Sequence, residues 1–327
     1  MFSFVHLCFR MISFITRPLF LHPFQLLCDV FFPSSTERQL EDEETGQIGE
    51  GDTPIVSTEQ QYDQSSPREC TESQGPQYCD NPYANLPVIG IGMTGRIHQI
   101  DKDRVVKVAR VYSLEHLSEP DRGDTEYINE MNRETIRHEI CVYERLGSHR
   151  GIISCLGVSE HGIELAFANQ GNLGSYIENN PEPTESFKAT WILTLTDTLS
   201  YVHSRKVFVD EIALRNFLVA EGQLKLADFG QSILLPLTAD VNTISENDLT
   251  AKIEILHLGW VICSIAQWRV HKYYFFDTEK PQENPSMGDL FCRDLVQKCW
   301  NGEYVSMDAL NKEAHILLGE MTLGGPV

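Results

Sequence analysis

The chain has 327 residues, 42% of them apolar, and a formal net charge of -21. That is enough length and apolar content for a two-lobed domain with a tail. The acidic balance, without a Lys/Arg cluster, excludes a nucleic-acid binder, which needs grouped cations on phosphate. Nine cysteines, with no CxxC pair and no histidine at zinc-ligand spacing, predict reduced thiols in an intracellular, cytoplasmic protein.

Residues 1–33 are rich in Phe, Leu and Ile, but Arg10, Arg17, Pro18 and Pro23 interrupt them. The unbroken apolar run is shorter than the about 20 residues a spanning helix needs. A basic start and a small-residue cleavage site are both missing, which argues against a secretory signal. Two readings stand for 1–32: an interfacial membrane contact, or a misassigned start of the coding sequence. Residues 34–85 change character, with Glu41, Asp42, Glu43 and Glu44 amid Ser, Thr, Gln, Gly and Pro. Such a stretch buries too little apolar surface to offset its ordering entropy and is expected to be a disordered acidic linker.

Order is expected from about Leu86. Residues 86–111 alternate apolar and polar side chains around Gly90-x-Gly92-x-x-Gly95 and an Asp101-Lys102-Asp103 turn, which predicts strand, glycine loop, strand, turn, strand. Residues 129–146 are predicted helical. Residues 163–168 read as a strand, 171–174 as a turn and 186–204 as a long helix. A short hairpin is expected from 217–219 and 224–227 across Glu221-Gly222. Helices follow over 253–268 and 289–300. Strands first and helices later give an α+β fold rather than a doubly wound sheet.

Three features carry chemistry. The glycine spacing alone is shared with dinucleotide-binding folds, but those need a helix straight after the last glycine. Here Arg96 to Ile100 alternates and then turns, so a strand follows. Lys107 interrupts the apolar run Val105, Val106, Val108, and a buried ammonium needs a partner. With about 100° per residue on the 129–146 helix, Ile136, Ile140, Tyr143 and Leu146 share one side. Glu130, Arg133, Glu134, Arg137, Glu144 and Arg145 take the other. Glu139 is the one charged residue inside the apolar stripe, and so the expected partner of Lys107.

The stretch 201–219, followed by Asp228-Phe229-Gly230, resembles the catalytic and metal-binding loops of the protein kinase family, H-R-D-L-x-x-x-N and D-F-G. The resemblance covers about 86–320 and implies a small β-rich lobe (86–168), a hinge near 167–171 and a helical lobe (172–320). It also implies ATP and Mg2+ as cofactors and a protein substrate or binding partner. Gly90, Gly92 and Gly95 would cover the phosphates, Lys107 would hold them with Glu139 orienting it, and Asn216 and Asp228 would carry magnesium. Glu211 stands at the catalytic base, a carboxylate one methylene longer than the family's aspartate.

The departures are as informative. Val209 replaces the family's structural histidine. Asp210 replaces the arginine that reads a phosphorylated activation loop, so Thr238, Thr243, Ser245 and Thr250 lack that cation. No A-P-E sequence follows Gly230, Glu254 stands for an aspartate of the next long helix, and the arginine expected beyond Cys299-Trp300 is missing. Two functions therefore compete: a phosphotransferase acting on Ser, Thr or Tyr hydroxyls, and a pseudokinase that binds ATP as a scaffold.

Overall fold

The computed structural model describes residues 82–273, 278–279 and 285–322. The expectations for 1–33 and for 34–81 of the linker lie outside them.

The chain opens with five antiparallel strands: β1 (Val88–Ile91), β2 (Gly95–Gln99), β3 (Arg104–Ala109), β4 (Cys155–Ser159) and β5 (Gly162–Ala166). Their order across the sheet is β1-β2-β3-β5-β4. β3 is central, and its Val105, Val106 and Val108 are buried, as the apolar run around Lys107 predicts. Between β3 and β4 the chain forms helix α1 (Glu119–Leu146), which lies on the sheet with Ile136, Tyr143 and Leu146 inward.

Helix α1 starts ten residues before the sequence expectation. Pro120 and Gly123 argue against helix, but Pro is tolerated in a first turn and sits there. The first turns carry little of the packing. The helix is fixed to the preceding segment at Asn129, whose side chain accepts from the Tyr112 amide (2.7 Å) and donates to the Tyr112 carbonyl (2.8 Å). Asn132 donates to the Arg110 carbonyl (2.6 Å). The outer face carries Arg137 paired with Glu130 (3.0 Å) and with Glu134.

The second half is helical. Gly171, at φ 77°, turns the chain into Asn172, which caps α2 (Leu173–Asn179) by accepting from the Ser175 amide (3.0 Å). The turn expected over 171–174 is thus a helix start, because an asparagine before an apolar residue caps as readily as it turns. Helix α3 (Glu185–Ser204) is capped by Thr184. Then come β6 (Val207–Phe208), a short 3-10 turn at Leu214–Asn216, β7 (Phe217–Ala220), β8 (Gln223–Leu226) and β9 (Ile233–Leu234). The β7–β8 hairpin closes on Glu221 and Gly222, both at positive φ (51° and 73°), as a two-residue hairpin turn requires.

Helix α4 (Ala251–Gln267) is apolar almost all round and buried along nearly its whole length, which makes it the axis of this half. Helix α5 (Arg293–Trp300) begins four residues later than expected, because Gly288 and Asp289 form a turn. Helix α6 (Met307–Thr322) packs on α3 through Leu310, Ala314 and Leu318. A network of Asp197 with Arg150 (2.6 Å), His315 (2.8 Å) and Asn311 (3.1 Å) ties α3 to α6. No helix among the described residues is long and apolar enough to cross a membrane.

Candidate active site

Lys107 projects from the central strand, and its position is the product of two constraints. β3 pairs on both sides, Lys107 opposite Ile97 and Ile163, so its backbone is fixed. Its side chain, 10% exposed, must find a counter-charge. Nζ lies 2.7 Å from Glu139 Oε2 and 2.7 Å from Asp228 Oδ1. Glu139, wholly buried, also accepts from the Phe229 amide through Oε1 (3.2 Å). One helix acid therefore fixes both the strand lysine and the Asp228-Phe229-Gly230 backbone.

The electrostatics follow from this packing. Burial pulls the Lys107 ammonium down, but the Asp228 and Glu139 carboxylates overcome it and lift the pKa above the ordinary lysine value. The Lys107 charge holds the Asp228 carboxyl below its usual value. Burial pushes Glu139 up, with Lys107 opposing. One buried cation thus serves two acids.

The residues around the triad are shaped for close approach. Asp228 holds a positive φ of 62°. A Cβ on Gly230 would come within 2.9 Å of Thr135 Cγ2 on α1. Phe229 is buried edge-on against Tyr143 of α1, with ring centroids 5.2 Å apart. Above the lysine, β1 and β2 are joined by the glycine turn, in which the Gly92 amide donates to the Gly95 carbonyl (2.8 Å). A Cβ on Gly95 would stand 3.4 Å from Lys107 Cε, so the missing side chain lets the turn rest on the lysine. With its proton committed inside the hairpin, the Gly92 amide can reach an anion only when the turn opens.

The loop below is held by different means. The Glu254 carboxylate reaches from the first turn of α4, accepts from the Val209 amide through Oε1 (2.7 Å) and meets His203 Nε2 through Oε2 (2.9 Å). Asn216 Nδ2 donates to the Glu211 carbonyl (3.0 Å). Glu211 Oε2 accepts from Arg215 Nη2 (2.7 Å) and lies 3.4 Å from Asn216 Nδ2. Arg215 was missed in the sequence; its spacing of four from Glu211 is the signal that could have found it. Glu211, Asn216 and Arg215 thus form one cluster, and Lys107, Glu139 and Asp228 another.

The segment after Gly230 is well packed. The His138 ring meets the Ser232 carbonyl (2.5 Å) and Arg145 donates to the Leu235 carbonyl (3.1 Å), so α1 grips this backbone directly. Phe208, Ile233, Leu235, Val241, Leu249 and Ala251 form a second small core. Thr250 caps α4, accepting from the Ile253 amide (3.4 Å), and Thr243 bonds Asp240 (3.2 Å).

Residues 83–249 match the family model for the protein kinase domain. The chain belongs to the protein kinase family. The match ends just before α4 of this kinase domain, so helices α4–α6 lie outside the matched stretch. An Aurora kinase A-A of Xenopus laevis is 26% identical over 199 residues, 58% of this chain and 46% of the relative. An Aurora kinase of Schizosaccharomyces pombe is 25% identical over 172 residues, 50% of this chain and 46% of the relative. An Aurora kinase B of Xenopus tropicalis is 38% identical over 75 residues, 23% of this chain and 21% of the relative. The chain spans from about a fifth to just under half of the length of these relatives. The α+β fold expected from the sequence, a small β-rich part with one helix followed by a helical half, is the one observed, with β4 as a strand the sequence reading did not include.

Proposed function

We propose that the chain is an ATP- and magnesium-dependent protein kinase that transfers phosphate to a Ser, Thr or Tyr hydroxyl of a protein. The observation that carries this reading is the Lys107 ammonium 2.7 Å from both Glu139 and Asp228. A helix acid holds the phosphate-binding cation in place, and that cation reaches the expected metal ligand.

The donor set fits the cofactors. A small hard cation takes oxygen ligands and is held by one or two protein groups together with substrate phosphates. The Asp228 side chain is 55% exposed and offers a carboxylate. Asn216 commits its nitrogen to the Glu211 carbonyl, which leaves its oxygen as the ligand atom. Among the described residues no cluster of three or more His, Cys, Asp or Glu could hold a metal alone, in keeping with a cation shared with phosphate. Bound MgATP supplies the electrophilic phosphoryl group and neutralises its oxygens.

The chain's own residues would act as follows. Lys107 would orient the phosphates, and the Asp228 carboxylate would help to hold the metal. Glu139 stays, fixing the ammonium in its strand. Gly90, Gly92 and Gly95 let the hairpin close over the anion. Glu211 receives the substrate hydroxyl proton, for which its carboxylate must swing from Arg215 toward the acceptor. Residues 86–168 and 172–320 would form the two lobes. The five described cysteines are all free thiols, which supports an intracellular setting.

A second reading rests on the Glu211–Arg215 contact. A carboxylate engaged by its own loop is a poor base, and Val209 and Asp210 remove two further family groups; this favours an ATP-binding scaffold without transfer. MgATP thermal shift beside a phosphotransfer assay on mixed protein substrates separates the two. Nucleotide binding with transfer that Glu211→Ala lowers and Glu211→Asp raises supports the enzyme. Binding with no transfer in any variant supports the scaffold. No binding at all rejects both.

A further inference from the structure

The loop that carries Glu211 has a support the family motifs do not account for. Ile212, the next residue, is wholly buried in irregular backbone, so its carbonyl has no ladder partner. It accepts a hydrogen bond from the Tyr273 hydroxyl. Tyr273 comes from the segment after α4 and is far from the loop in sequence. Its ring is parallel to Trp260 of α4, at 2° and 5.7 Å between centroids, and 5.9 Å from His257. Trp260 in turn packs on Trp300 of α5 at 4.8 Å. The ring cannot tilt without disturbing that stack, so the hydroxyl is aimed.

Helix α4 thereby holds the loop at two places. Its first turn supplies Glu254, which fixes the Val209 amide. Its middle supplies Trp260, the platform under Tyr273, which fixes the Ile212 carbonyl. Asp210 and Glu211 are the two residues between these anchors. Asn216 adds a third hold, on the Glu211 carbonyl. Tyr273 is also within electrostatic reach of Glu211 and Arg215, and burial raises its phenol above the ordinary value, so it stays a donor across the working pH range.

We propose that Tyr273 is a positioning residue for the catalytic loop: its hydroxyl, held on Trp260, fixes the Ile212 carbonyl and so sets where the Glu211 carboxylate points. The proposal rests on the kinase reading for its effect on rate, but the support of the loop is a separate claim. The longer side chain of Glu211 has one more torsion than an aspartate, so backbone placement matters more for it. A shift of about 1 Å at a reacting group costs about a hundredfold. Removing one hydrogen bond while the ring stays stacked is expected to move the loop by less.

The test is Tyr273→Phe in the full chain, compared with wild type and with Glu211→Ala. The expected result is a kcat about tenfold lower with the KM for ATP and the MgATP thermal shift unchanged, and a slightly lower unfolding midpoint from the unpaired Ile212 carbonyl, with the variant still folded at the assay temperature. In the Glu211→Ala background, Tyr273→Phe should then add nothing. Amide exchange at residues 210–213 should rise about tenfold in the same variant. A fall in kcat accounted for by the fraction unfolded at the assay temperature, or full additivity with Glu211→Ala, would overturn positioning and leave a structural hydrogen bond. Should the wild type transfer no phosphate, the kinase reading fails by itself, and the exchange measurement decides the proposal. Unchanged exchange sinks it; faster exchange confined to that loop upholds it.

Discussion

The triad of Lys107, Glu139 and Asp228 and the loop from Val209 to Asn216 hold their acids by opposite means. In the triad, two carboxylates share one buried ammonium, and geometry is set by charge against charge. In the loop, Glu254 clasps a backbone amide and a histidine, and Asn216 clasps a backbone carbonyl. The contrast shows where a glutamate can stand for an aspartate. At Glu254 the extra methylene is absorbed, because the acid ends on fixed backbone. At Glu211, on the proposed mechanism, the acid would have to end on a mobile substrate, and in the structure the longer arm meets Arg215.

The triad is the place to break the structure hardest. Lys107→Met leaves Glu139 buried without its cation, and removing one partner of a buried pair typically costs about 3–5 kcal/mol. The expected outcome is a sharp loss of stability in urea together with loss of any MgATP thermal shift. Glu254→Ala is next, since it strands the Val209 amide and His203. We expect a loss of about 2–3 kcal/mol, with Glu254→Asp restoring part of it as measured by urea midpoint. Full recovery by the aspartate would show that the loop does not depend on the longer reach.

Glu211→Ala sharpens the other side of the contrast. The side chain is partly exposed and paired with an exposed arginine, so stability should hardly change. Transfer should fall about a hundredfold, the lower range for a general base. Equal rates for wild type and variant would place the proton acceptor elsewhere.

The triad also has a pH signature whose sign can be worked out. Asp228 lies below its ordinary value, so its contribution is complete above the unfolded carboxyl value of about 4 and is lost as pH falls through the lower folded one. Lys107 lies above its ordinary value, so its contribution is complete below about 10.4 and is lost as pH rises through the folded value. Glu139, pushed up by burial, opposes Asp228: its contribution is complete in acid and lost as pH rises. Urea midpoints measured from pH 3 to 7 should show an acid limb that Asp228→Asn flattens. An unchanged limb would mean that Asp228 is not held by Lys107 in solution.

Much of this was legible before any coordinates. The lysine in a valine run and the acid in an apolar helix stripe each break a local pattern, and each break marks a group that needs a partner. The hairpin at Glu221-Gly222 was legible because few residues accept positive φ. What escaped were features that depend on distant chain. Strand β4 has an exposed face with Leu156 and Val158 outward and a register shift at Cys155/Gly157, so no clean alternation announces it. Helix α6 owes its place to packing on α3. Tyr273 and Arg215 carry no motif, and their roles exist only once α4 and the loop are assembled.

The smallest expected effect concerns Thr250, which the sequence presents as one more hydroxyl of the loop after Gly230. In the structure its Oγ1 accepts from the Ile253 amide at the start of α4, and its own carbonyl accepts from the Glu254 amide (3.2 Å). The residue is thus spent on the helix that supplies Glu254 and the Trp260 platform under Tyr273. Thr250→Ala should cost about 1 kcal/mol, the usual worth of a cap, while Thr250→Ser should cost almost nothing. Because Glu254 lies one turn along, the alanine variant should loosen the Val209 contact slightly and speed amide exchange at residues 209–211 without altering nucleotide binding. Thr243→Ala, whose hydroxyl bonds Asp240 three residues before it, should leave exchange there unchanged. If the two variants behave alike, the cap is not coupled to the loop, and α4 holds Glu254 by its buried length alone.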